Sequence, residues 1–231
     1  DLATLIYTSG TTGQPKGVVL THHNLLSNLD AMREVFRIHP TDRMCGVLPF
    51  FHAFGLSCTM WLPLTSGRAA DYVPNPLDGK AVVKSVRERR CTILIATPTF
   101  LLTYMRRAEP EDFATLREVI LGAEKMKTDL ADAFEEKFGV RPREGYGATE
   151  LSPLVSLNVE DVEVGGVFQM GTKEGSVGHP VPGVAAKVVD PETFEPLGLN
   201  EPGLLWIKGP NVMQGYLHQP EKTARVIRDG W

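Results

Sequence analysis

Residues 7–17, which read YTSGTTGQPKG, combine hydroxyl groups, glycines and one lysine directly after an apolar run. Gly10, Gly13 and Gly17 allow the backbone to approach an anion closely, and Lys16 adds a positive charge. Hydroxyl donors are spread along the same stretch, at Thr8, Ser9, Thr11 and Thr12. This composition predicts a phosphate-binding loop.

Two other interpretations of this loop compete. P-loop NTPases need Gly, four residues and then Gly-Lys-Ser/Thr, but the residue five beyond Gly10 is Pro15, and Lys16 is followed by Gly17. That spacing disfavours a P-loop. Clusters of Ser, Thr and Gly also mark ordinary surface loops, which is the commoner outcome for an arbitrary cluster. The complete eleven-residue string favours phosphate binding instead.

The same string resembles the signature loop of the AMP-forming, or adenylate-forming, superfamily, which includes acyl-CoA synthetases, luciferases and peptide-synthetase adenylation domains. Four further strings agree with that family in order: FFHAFG at 50–55, GAE at 122–124, GYGATE at 145–150 and GLLWIKGPNVMQGY at 203–216. Within the superfamily, residues 98–101, 110–116, 121–126 and 144–158 look closest to the synthetase half of bifunctional acyl-ACP synthetase/2-acylglycerophosphoethanolamine acyltransferases.

The resemblance implies that the parent protein uses ATP and Mg²⁺ to convert a fatty acid to acyl-AMP and pyrophosphate. The acyl group then passes to the thiol of CoA or of the phosphopantetheine of acyl carrier protein, which would be a partner. Because the carboxylate oxygen attacks the α-phosphorus while pyrophosphate departs, the protein must orient the phosphates and neutralise growing charge.

Glu150 is the one carboxylate that we assign to the metal, because it follows a predicted strand. Mg²⁺ takes few carboxylate ligands and fills the rest of its shell with phosphate and water, and ligands collect at the ends of parallel strands. The resemblance implies that Thr149 contacts the α-phosphate region and that Lys16 organises the loop near the pyrophosphate. We predict these three as the catalytic residues. Without the family match, a solvated surface acid would be the better interpretation of Glu150.

By the same resemblance, the nucleotide site includes Lys16, Thr149 and the following residues: Thr8, Ser9, Gly10, Thr11, Thr12, Gly13, Gly122, Ala123, Glu124, Gly145, Tyr146 and Gly147. Tyr146 and Gly147 are expected to line the acyl side as well, although the pattern alone fits a half-buried core aromatic at Tyr146 equally well.

His52 stands among aromatic residues at a predicted strand-to-helix junction. A neutral imidazole there either hydrogen-bonds the carboxylate of the substrate or satisfies a loop carbonyl. The resemblance places this position beside the acyl carboxylate, so we predict His52 as a substrate residue. Trp61, Phe100 and Tyr104 are left out of the site because aromatic residues at helical spacing are more often core.

Between residues 43 and 146, short β-rich runs at 44–48, 68–73, 92–96, 119–121 and 143–146 alternate with helical patterns at 54–65, 77–89, 99–107 and 128–138. This βαβα alternation predicts an α/β fold with a mainly parallel sheet flanked by helices. Thr21 and Thr128 are predicted helix N-caps, and Gly139 a helix C-terminus. His22 and His23 are predicted to be exposed.

Three parts are predicted along the chain. Residues 1–20 form a phosphate-loop hairpin left from an upstream subdomain, 21–165 an α/β subdomain, and 166–231 a small antiparallel β-subdomain built around alternating runs at 184–189 and 204–207. The Gly- and acid-rich stretch 160–174 is predicted to be a mobile connector.

Composition excludes several classes of protein. The 231 residues are 42% hydrophobic and 23% charged, as in an ordinary globular protein, and the formal net charge of −4 provides no basic field for nucleic acid. Cys45, Cys58 and Cys91 are odd in number and far apart, which predicts reduced core thiols in a cytoplasmic protein. No apolar stretch is long enough for a transmembrane segment. The resemblance leaves open a parent attached to the inner face of the membrane.

Both ends of the chain look cut. It has no initiator Met, and it stops at Asp229-Gly230-Trp231 after a helical-looking segment. In the family, an Asp in a following Thr-Gly-Asp motif holds the ribose, and a hinge, an Arg and a lid with the catalytic Lys come later. We therefore expect a central fragment that is inactive by itself, and the alternative function is a non-catalytic nucleotide-binding or structural fragment.

Overall fold

A computed structural model describes residues 1–8 and 15–231. The chain opens with a hairpin of β1 (Leu2–Thr8) and β2 (Lys16–Thr21), which pair antiparallel, and continues directly into helix α1 (His22–Val35). Thr21 caps this helix as predicted: its Oγ1 accepts a hydrogen bond from the backbone N–H of Asn24 at 3.2 Å, and the Asn24 side chain accepts one from the Thr21 N–H at 2.9 Å.

A seven-stranded sheet forms the centre of the molecule, in the order β11-β8-β7-β6-β5-β3-β4. The five strands from β3 to β7 are mutually parallel, and β8 and β11 add two antiparallel strands at one edge. The strands are β3 (Arg43–Gly46), β4 (Ala69–Tyr72), β5 (Ile93–Ala96), β6 (Glu118–Leu121), β7 (Arg143–Gly147), β8 (Leu154–Leu157) and β11 (His179–Pro180).

Every residue of β5 and β6 is buried, as expected for central parallel strands covered on both faces. The covering helices are α2 (Leu62–Thr65), α3 (Gly79–Arg89), α4 (Pro98–Met105) and α5 (Thr128–Phe138). The predicted α/β fold with a mainly parallel sheet is confirmed.

Two helix predictions need correction in detail. Helix α5 has Lys127 as its N-cap, not Thr128: the backbone N–H groups of Leu130 and Ala131 both donate to the Lys127 carbonyl, so Thr128 is already helical. The predicted helix at 54–65 is a π-helix over Gly55–Trp61 before it becomes α2. The predicted end of α5 at Gly139 is confirmed, since its φ of 73° favours glycine.

The C-terminal part adds two hairpins, β9 (Val162–Val164) with β10 (Val167–Gln169) and β12 (Ala185–Val189) with β13 (Leu204–Lys208). The first lies inside the stretch predicted as a connector, which therefore contains regular structure. β14 (Gly215–Tyr216) pairs with β2, and helix α6 (Pro220–Val226) follows. Residues 166–231 thus also supply β11 to the large sheet and β14 to the first hairpin, while the predicted domain boundaries stay a prediction.

Side-chain amides connect the segment before β14 to the rest of the molecule. Asn24 donates from Nδ2 to the carbonyls of Pro210 at 2.7 Å and Val212 at 2.8 Å, and Asn211 donates to Leu151 at 2.9 Å. A small buried cluster fills the space between this segment and the hairpin: Ile6, Val18, Leu20, Leu25, Ala53, Met213 and Tyr216.

The three cysteines are buried and free, in agreement with the core-thiol prediction. Tyr104 is fully buried and Phe100 packs against the core, while Trp61 is partly exposed. No helix within residues 1–8 and 15–231 has the length and hydropathy required to cross a bilayer.

Candidate functional site

The base of the predicted phosphate loop is formed by Thr8 at the end of β1 and Lys16 at the start of β2, which are paired in the β1–β2 register. Gly17 follows where space is limited, since a Cβ there would lie 3.2 Å from Leu5 Cδ1 and 3.3 Å from Leu217 Cβ. The loop residues predicted to hold phosphate lie outside the described residues: Ser9, Gly10, Thr11, Thr12 and Gly13.

The carboxyl ends of the parallel strands bring most of the other predicted residues together. The segment after β3 supplies His52, the turn after β6 supplies two residues, and the end of β7 supplies the rest. They surround one cavity of about 260 Å³. Its lining includes His52, Gly122, Ala123, Gly145, Tyr146, Gly147 and Thr149.

Backbone proximity explains why Gly147 must lack a side chain. A Cβ at this position would be 2.1 Å from the carbonyl oxygen of Pro153, because β7 turns sharply into β8 here and the Ala148 N–H donates to the same oxygen at 3.0 Å. The pairing of β7 with β8 shifts register between Tyr146 and Gly147. This irregularity ends the strand and leads the chain into the turn that carries Thr149 and Glu150.

His52 is exposed and its imidazole takes part in the local loop structure. The Phe54 backbone N–H donates to His52 Nδ1 at 3.2 Å. Because Nδ1 accepts this bond, the proton of a neutral ring is on Nε2, which is then a donor. The histidine therefore bonds a loop N–H and not the loop carbonyl suggested by the sequence, and it also lines the cavity. Its role toward a substrate carboxylate stays a prediction.

Glu150 lies beside this cavity, and lines an adjoining one of about 480 Å³ between the β7 end and β13. Tyr146 and Ala148 line both cavities. The Glu150 carboxylate accepts a hydrogen bond at Oε1 from the hydroxyl of Tyr216 at 2.8 Å, and the same hydroxyl accepts one from Lys16 Nζ at 3.2 Å. Two predicted catalytic residues are thus joined through a third side chain.

Tyr216 was missed as a functional residue by sequence analysis. It closes the string at 203–216 that carried part of the family resemblance, which was the only signal available. Its contacts with Lys16 and Glu150 span 200 and 66 positions of the chain, so no local pattern could reveal them.

Glu124, which was predicted to lie beside the nucleotide, bonds the start of helix α4. Its Oε2 accepts hydrogen bonds from the backbone N–H of Thr99 at 3.2 Å and from Thr99 Oγ1 at 2.6 Å, at the start of α4. A carboxylate in the first turn of a helix is favoured by the helix dipole. The structure therefore brings Glu124 to a helix start, while its neighbours Gly122 and Ala123 line the 260 Å³ cavity.

The donor set fits Mg²⁺ bound through phosphate. Within the described parts of the chain, no group of three or more His, Cys, Asp or Glu side chains is arranged to hold a metal alone. Glu150 provides a carboxylate whose Oε1 is held by Tyr216, and no described residue bonds Oε2, which leaves that oxygen for a hard cation. One carboxylate, with substrate phosphates and water completing the shell, is the arrangement that Mg²⁺ prefers.

The chain is similar to known proteins over its whole length. A family model described as AMP-binding enzyme matches residues 1–217. The long-chain-fatty-acid–CoA ligase of Bacillus subtilis is 33% identical over 236 residues, covering 100% of this chain and 40% of that enzyme. The 4-coumarate–CoA ligase 1 of Oryza sativa is 34% identical over 239 residues, covering 100% of the chain and 42% of the relative.

Among solved structures, ATP-bound MatB from Rhodopseudomonas palustris superposes with a TM-score of 0.87 and 33% sequence identity. The match covers 99% of this chain and 43% of that protein. The chain therefore spans less than half the length of the proteins that it matches.

Proposed function

Because this chain belongs to the AMP-binding enzyme family, we propose that its parent protein activates a fatty acid with ATP. The products of this step are acyl-AMP and pyrophosphate, and the acyl group is then transferred to a thiol. Both relatives are named as CoA ligases, so CoA is the proposed acceptor, and the phosphopantetheine of acyl carrier protein is the alternative.

The observation that carries this proposal is the convergence of His52, Tyr146, Gly147 and Thr149 on one cavity at the carboxyl ends of the parallel strands. This is where open α/β sheets bind ligands. A carboxylate held there has two donors within reach of the same lining, the His52 imidazole and the Thr149 hydroxyl. In the proposed step its oxygen bonds to the α-phosphorus while the bond from that phosphorus to pyrophosphate breaks.

The chain's own groups divide the work of charge neutralisation. Lys16 contributes a cation at the base of the phosphate loop, and Glu150 offers a carboxylate to Mg²⁺. When bound, the metal supplies charge neutralisation to the phosphates. The protein's contribution is to hold these two groups at a fixed separation, so that little reorganisation is needed during reaction.

Part of the cavity wall is apolar, which favours an apolar acid. It includes the buried side chains of Phe36, Cys58 and Leu154. Burial alone raises the pKa of the Cys58 thiol, which stays neutral. An α-ammonium group would lose its hydration there without gaining a counter-charge from these three residues, which favours fatty over amino acids.

ATP–pyrophosphate exchange by the full-length protein tests the proposal. The assay is run with fatty acids of increasing chain length. We expect exchange that requires both a fatty acid and Mg²⁺. Cinnamic acids and amino acids serve as the comparison panels, since one relative is named for 4-coumarate. Exchange with amino acids alone, or with no acid, would contradict the assignment.

We further propose that the 231 residues alone do not turn over. The Thr-Gly-Asp motif expected to hold the ribose and the lid lysine are not among them. Each missing transition-state contact costs about 3 kcal/mol, or roughly a hundredfold in rate. Titration calorimetry with ATP and Mg²⁺, alongside a pyrophosphate-release assay with a long-chain acid, tests this; tight binding with acid-dependent release would contradict it.

A further inference from the structure

Tyr216 occupies the space between the two charged groups of the proposed site. Its hydroxyl donates to Glu150 Oε1 at 2.8 Å and accepts from Lys16 Nζ at 3.2 Å. The Lys16 ammonium also lies over the aromatic ring, 4.5 Å from the ring centroid. One side chain thus contacts the cation through both its hydroxyl and its π-face, and the carboxylate through its hydroxyl.

The backbone of Tyr216 is fixed to both partners independently of these contacts. It pairs with Val18 in β2, two residues beyond Lys16, and the next N–H, that of Leu217, donates to the Gly17 carbonyl at 2.8 Å. On the other side, the Met213 N–H donates to the Glu150 carbonyl, also at 2.8 Å. The segment 213–217 therefore joins the base of the phosphate loop to the turn that carries Glu150.

The two partners of the hydroxyl fix the direction of both hydrogen bonds. Tyr216 is only 7% exposed, so its hydroxyl is largely shielded from water. An ammonium can only donate and an ionised carboxylate can only accept, so the hydroxyl accepts from Lys16 and donates to Glu150.

We propose that Tyr216 is a positioning residue, which fixes the distance and orientation between the Lys16 ammonium and the Glu150 carboxylate. This inference rests on the proposed function, since it gives Lys16 and Glu150 their roles toward phosphate and Mg²⁺. Without the hydroxyl, the Glu150 carboxylate keeps its place in the turn but loses the donor that holds Oε1, so its orientation toward a cation is no longer defined.

The test is Tyr216→Phe in the full-length protein, with Tyr104→Phe as the matched control. Both changes keep a buried ring and remove one hydroxyl that donates a 2.8 Å hydrogen bond, in the control to the Pro76 carbonyl. Calorimetric titration with ATP at a series of Mg²⁺ concentrations, without acid, measures the Mg²⁺ concentration needed for half-maximal ATP affinity. Thermal midpoints report folding for both variants.

For Tyr216→Phe we expect this Mg²⁺ requirement to rise about tenfold, as for loss of a hydrogen bond to a charged group, and the control to match the wild type. An unchanged requirement in a folded Tyr216→Phe protein would overturn the proposal. A wild-type protein that shows no acid-dependent exchange would overturn the proposed function instead, because the calorimetric readout needs no turnover.

The same substitution made in Glu150→Gln protein tests whether Tyr216 acts through Glu150. In Glu150→Gln protein, Tyr216→Phe is expected to change the Mg²⁺ requirement by less than twofold, since the carboxylate that it orients is already absent. If Tyr216→Phe produced its full effect in this background, Tyr216 would act by another route and the proposal would be wrong. Thermal midpoints for the double variant separate this outcome from a loss of folding.

Discussion

The carboxyl and amino ends of the parallel strands both open onto cavities, but the residues around them differ in kind. At the carboxyl ends, glycines and loop residues surround a space of about 260 Å³, and an adjoining space of about 480 Å³ is lined mainly by apolar and aromatic side chains, with Glu150, Arg225 and Arg228. At the amino ends, a larger cavity of about 610 Å³ is lined by several charged side chains, among them Arg117, Arg141 and Arg143.

Most of the charge at the amino ends is already paired. Arg117 donates to the Asp42 carboxylate and to the Arg37 carbonyl, and Arg143 donates to Glu118. Arg141 forms ion pairs with three carboxylates, those of Asp132, Glu135 and Glu174. These bonds pair each cation with a carboxylate of the protein, although Arg143 Nη1 is buried without a hydrogen-bond partner among the described residues. At the carboxyl ends, within residues 1–8 and 15–231, Lys16 and Glu150 are joined only through the neutral Tyr216 hydroxyl, which leaves their charges for a ligand. Cavity size is therefore a poorer guide to function here than the state of the charges beside it.

The largest expected effect concerns the amino ends. Glu118 is almost completely buried and pairs with Arg143, whose side chain is 9% exposed. In Glu118→Ala an uncompensated guanidinium remains, and we expect the free energy of unfolding to fall by about 3–5 kcal/mol. Urea denaturation of the full-length protein measures this change.

Replacing the whole pair serves as the control for Glu118→Ala. The double variant Glu118→Leu/Arg143→Met removes both charges and is expected to recover most of the lost stability, because the pair itself adds little net free energy. ATP affinity of the folded protein should be unchanged in both variants. A large loss of ATP affinity would mean that the amino-end charges belong to the site after all.

The next effect concerns the carboxyl ends. Glu150→Gln is expected to lower the rate of ATP–pyrophosphate exchange by about a hundredfold or more at limiting Mg²⁺, because the metal loses its carboxylate. Thr8→Ala should cost less, since neighbouring hydroxyl and amide donors remain. Glu150→Gln at full rate would show that another group holds the metal.

Glu144 provides the matched control, because it lies six residues earlier in the same segment, toward the amino end. Its Oε1 accepts from the Met126 N–H at 3.1 Å, a bond that a glutamine oxygen can also accept. Glu144→Gln should therefore leave the exchange rate within about twofold of the wild type. A hundredfold lower exchange rate in Glu144→Gln would show that a carboxylate toward the amino end of β7 matters as much as Glu150.

Sequence analysis could predict the strands that bring the candidate residues together because strand signals are local, while the roles of those residues came from the family resemblance and stay a prediction. The string at 122–124 directly follows the strand-like run at 119–121, and the string at 145–150 overlaps the run at 143–146. Parallel strands bring their carboxyl ends to one edge of the sheet. The predicted strand at 143–146 is β7 to within one residue. Short-range periodicity was sufficient for these elements.

The remaining features depend on contacts between distant residues. β11 and β14 are two residues long, which is too short to show an alternating apolar pattern in the sequence. Their partner strands are β8 and β2. The contact of Tyr216 with Lys16 is likewise a tertiary one. The π-helix at Gly55–Trp61 was also missed; at Gly55 a Cβ would be 2.2 Å from the Pro49 carbonyl oxygen, a packing constraint that spacing does not encode.

The Asp42 carboxyl makes the stability of the protein at the amino ends of the strands depend on pH. Burial favours its neutral form, but hydrogen bonds from Arg117, the His39 N–H and Thr92 outweigh this and lower the pKa of the carboxyl. Its contribution to stability is therefore full above the unfolded pKa of about 3.9 and is lost as the pH falls through the lowered folded value.

Asp42→Asn removes that dependence. We expect the thermal midpoint of the variant to lie below that of the wild type at pH 7, with the gap closing as the pH falls below about 4. Midpoints measured from pH 3 to 7 in the full-length protein check this. A gap that stays constant with pH would show that the Asp42 charge contributes nothing to the amino-end network.

The smallest expected effects compare two threonines at opposite ends of β5. Thr92 precedes the strand and its Oγ1 donates to Asp42 Oδ1 at 2.7 Å, whereas Thr97 follows it and accepts from the Phe100 N–H at 3.3 Å as the N-cap of α4. Replacement by valine keeps the shape of each side chain. At Thr97 it removes the bond to Phe100, and at Thr92 it removes both the bond to Asp42 and the one that Oγ1 accepts from the Arg43 N–H at 3.1 Å. Each change should lower the free energy of unfolding by about 1 kcal/mol at pH 7.

The two losses should differ in their response to acid. The Thr92 hydroxyl stabilises a charged carboxylate, so the effect of Thr92→Val is expected to shrink below about pH 4, as Asp42 becomes protonated. The Thr97 cap involves no titrating group, so the effect of Thr97→Val should be independent of pH. Denaturation of both variants at pH 7 and pH 3.5 measures the contrast, and parallel pH profiles would show that the charge network at the amino ends does not include Thr92.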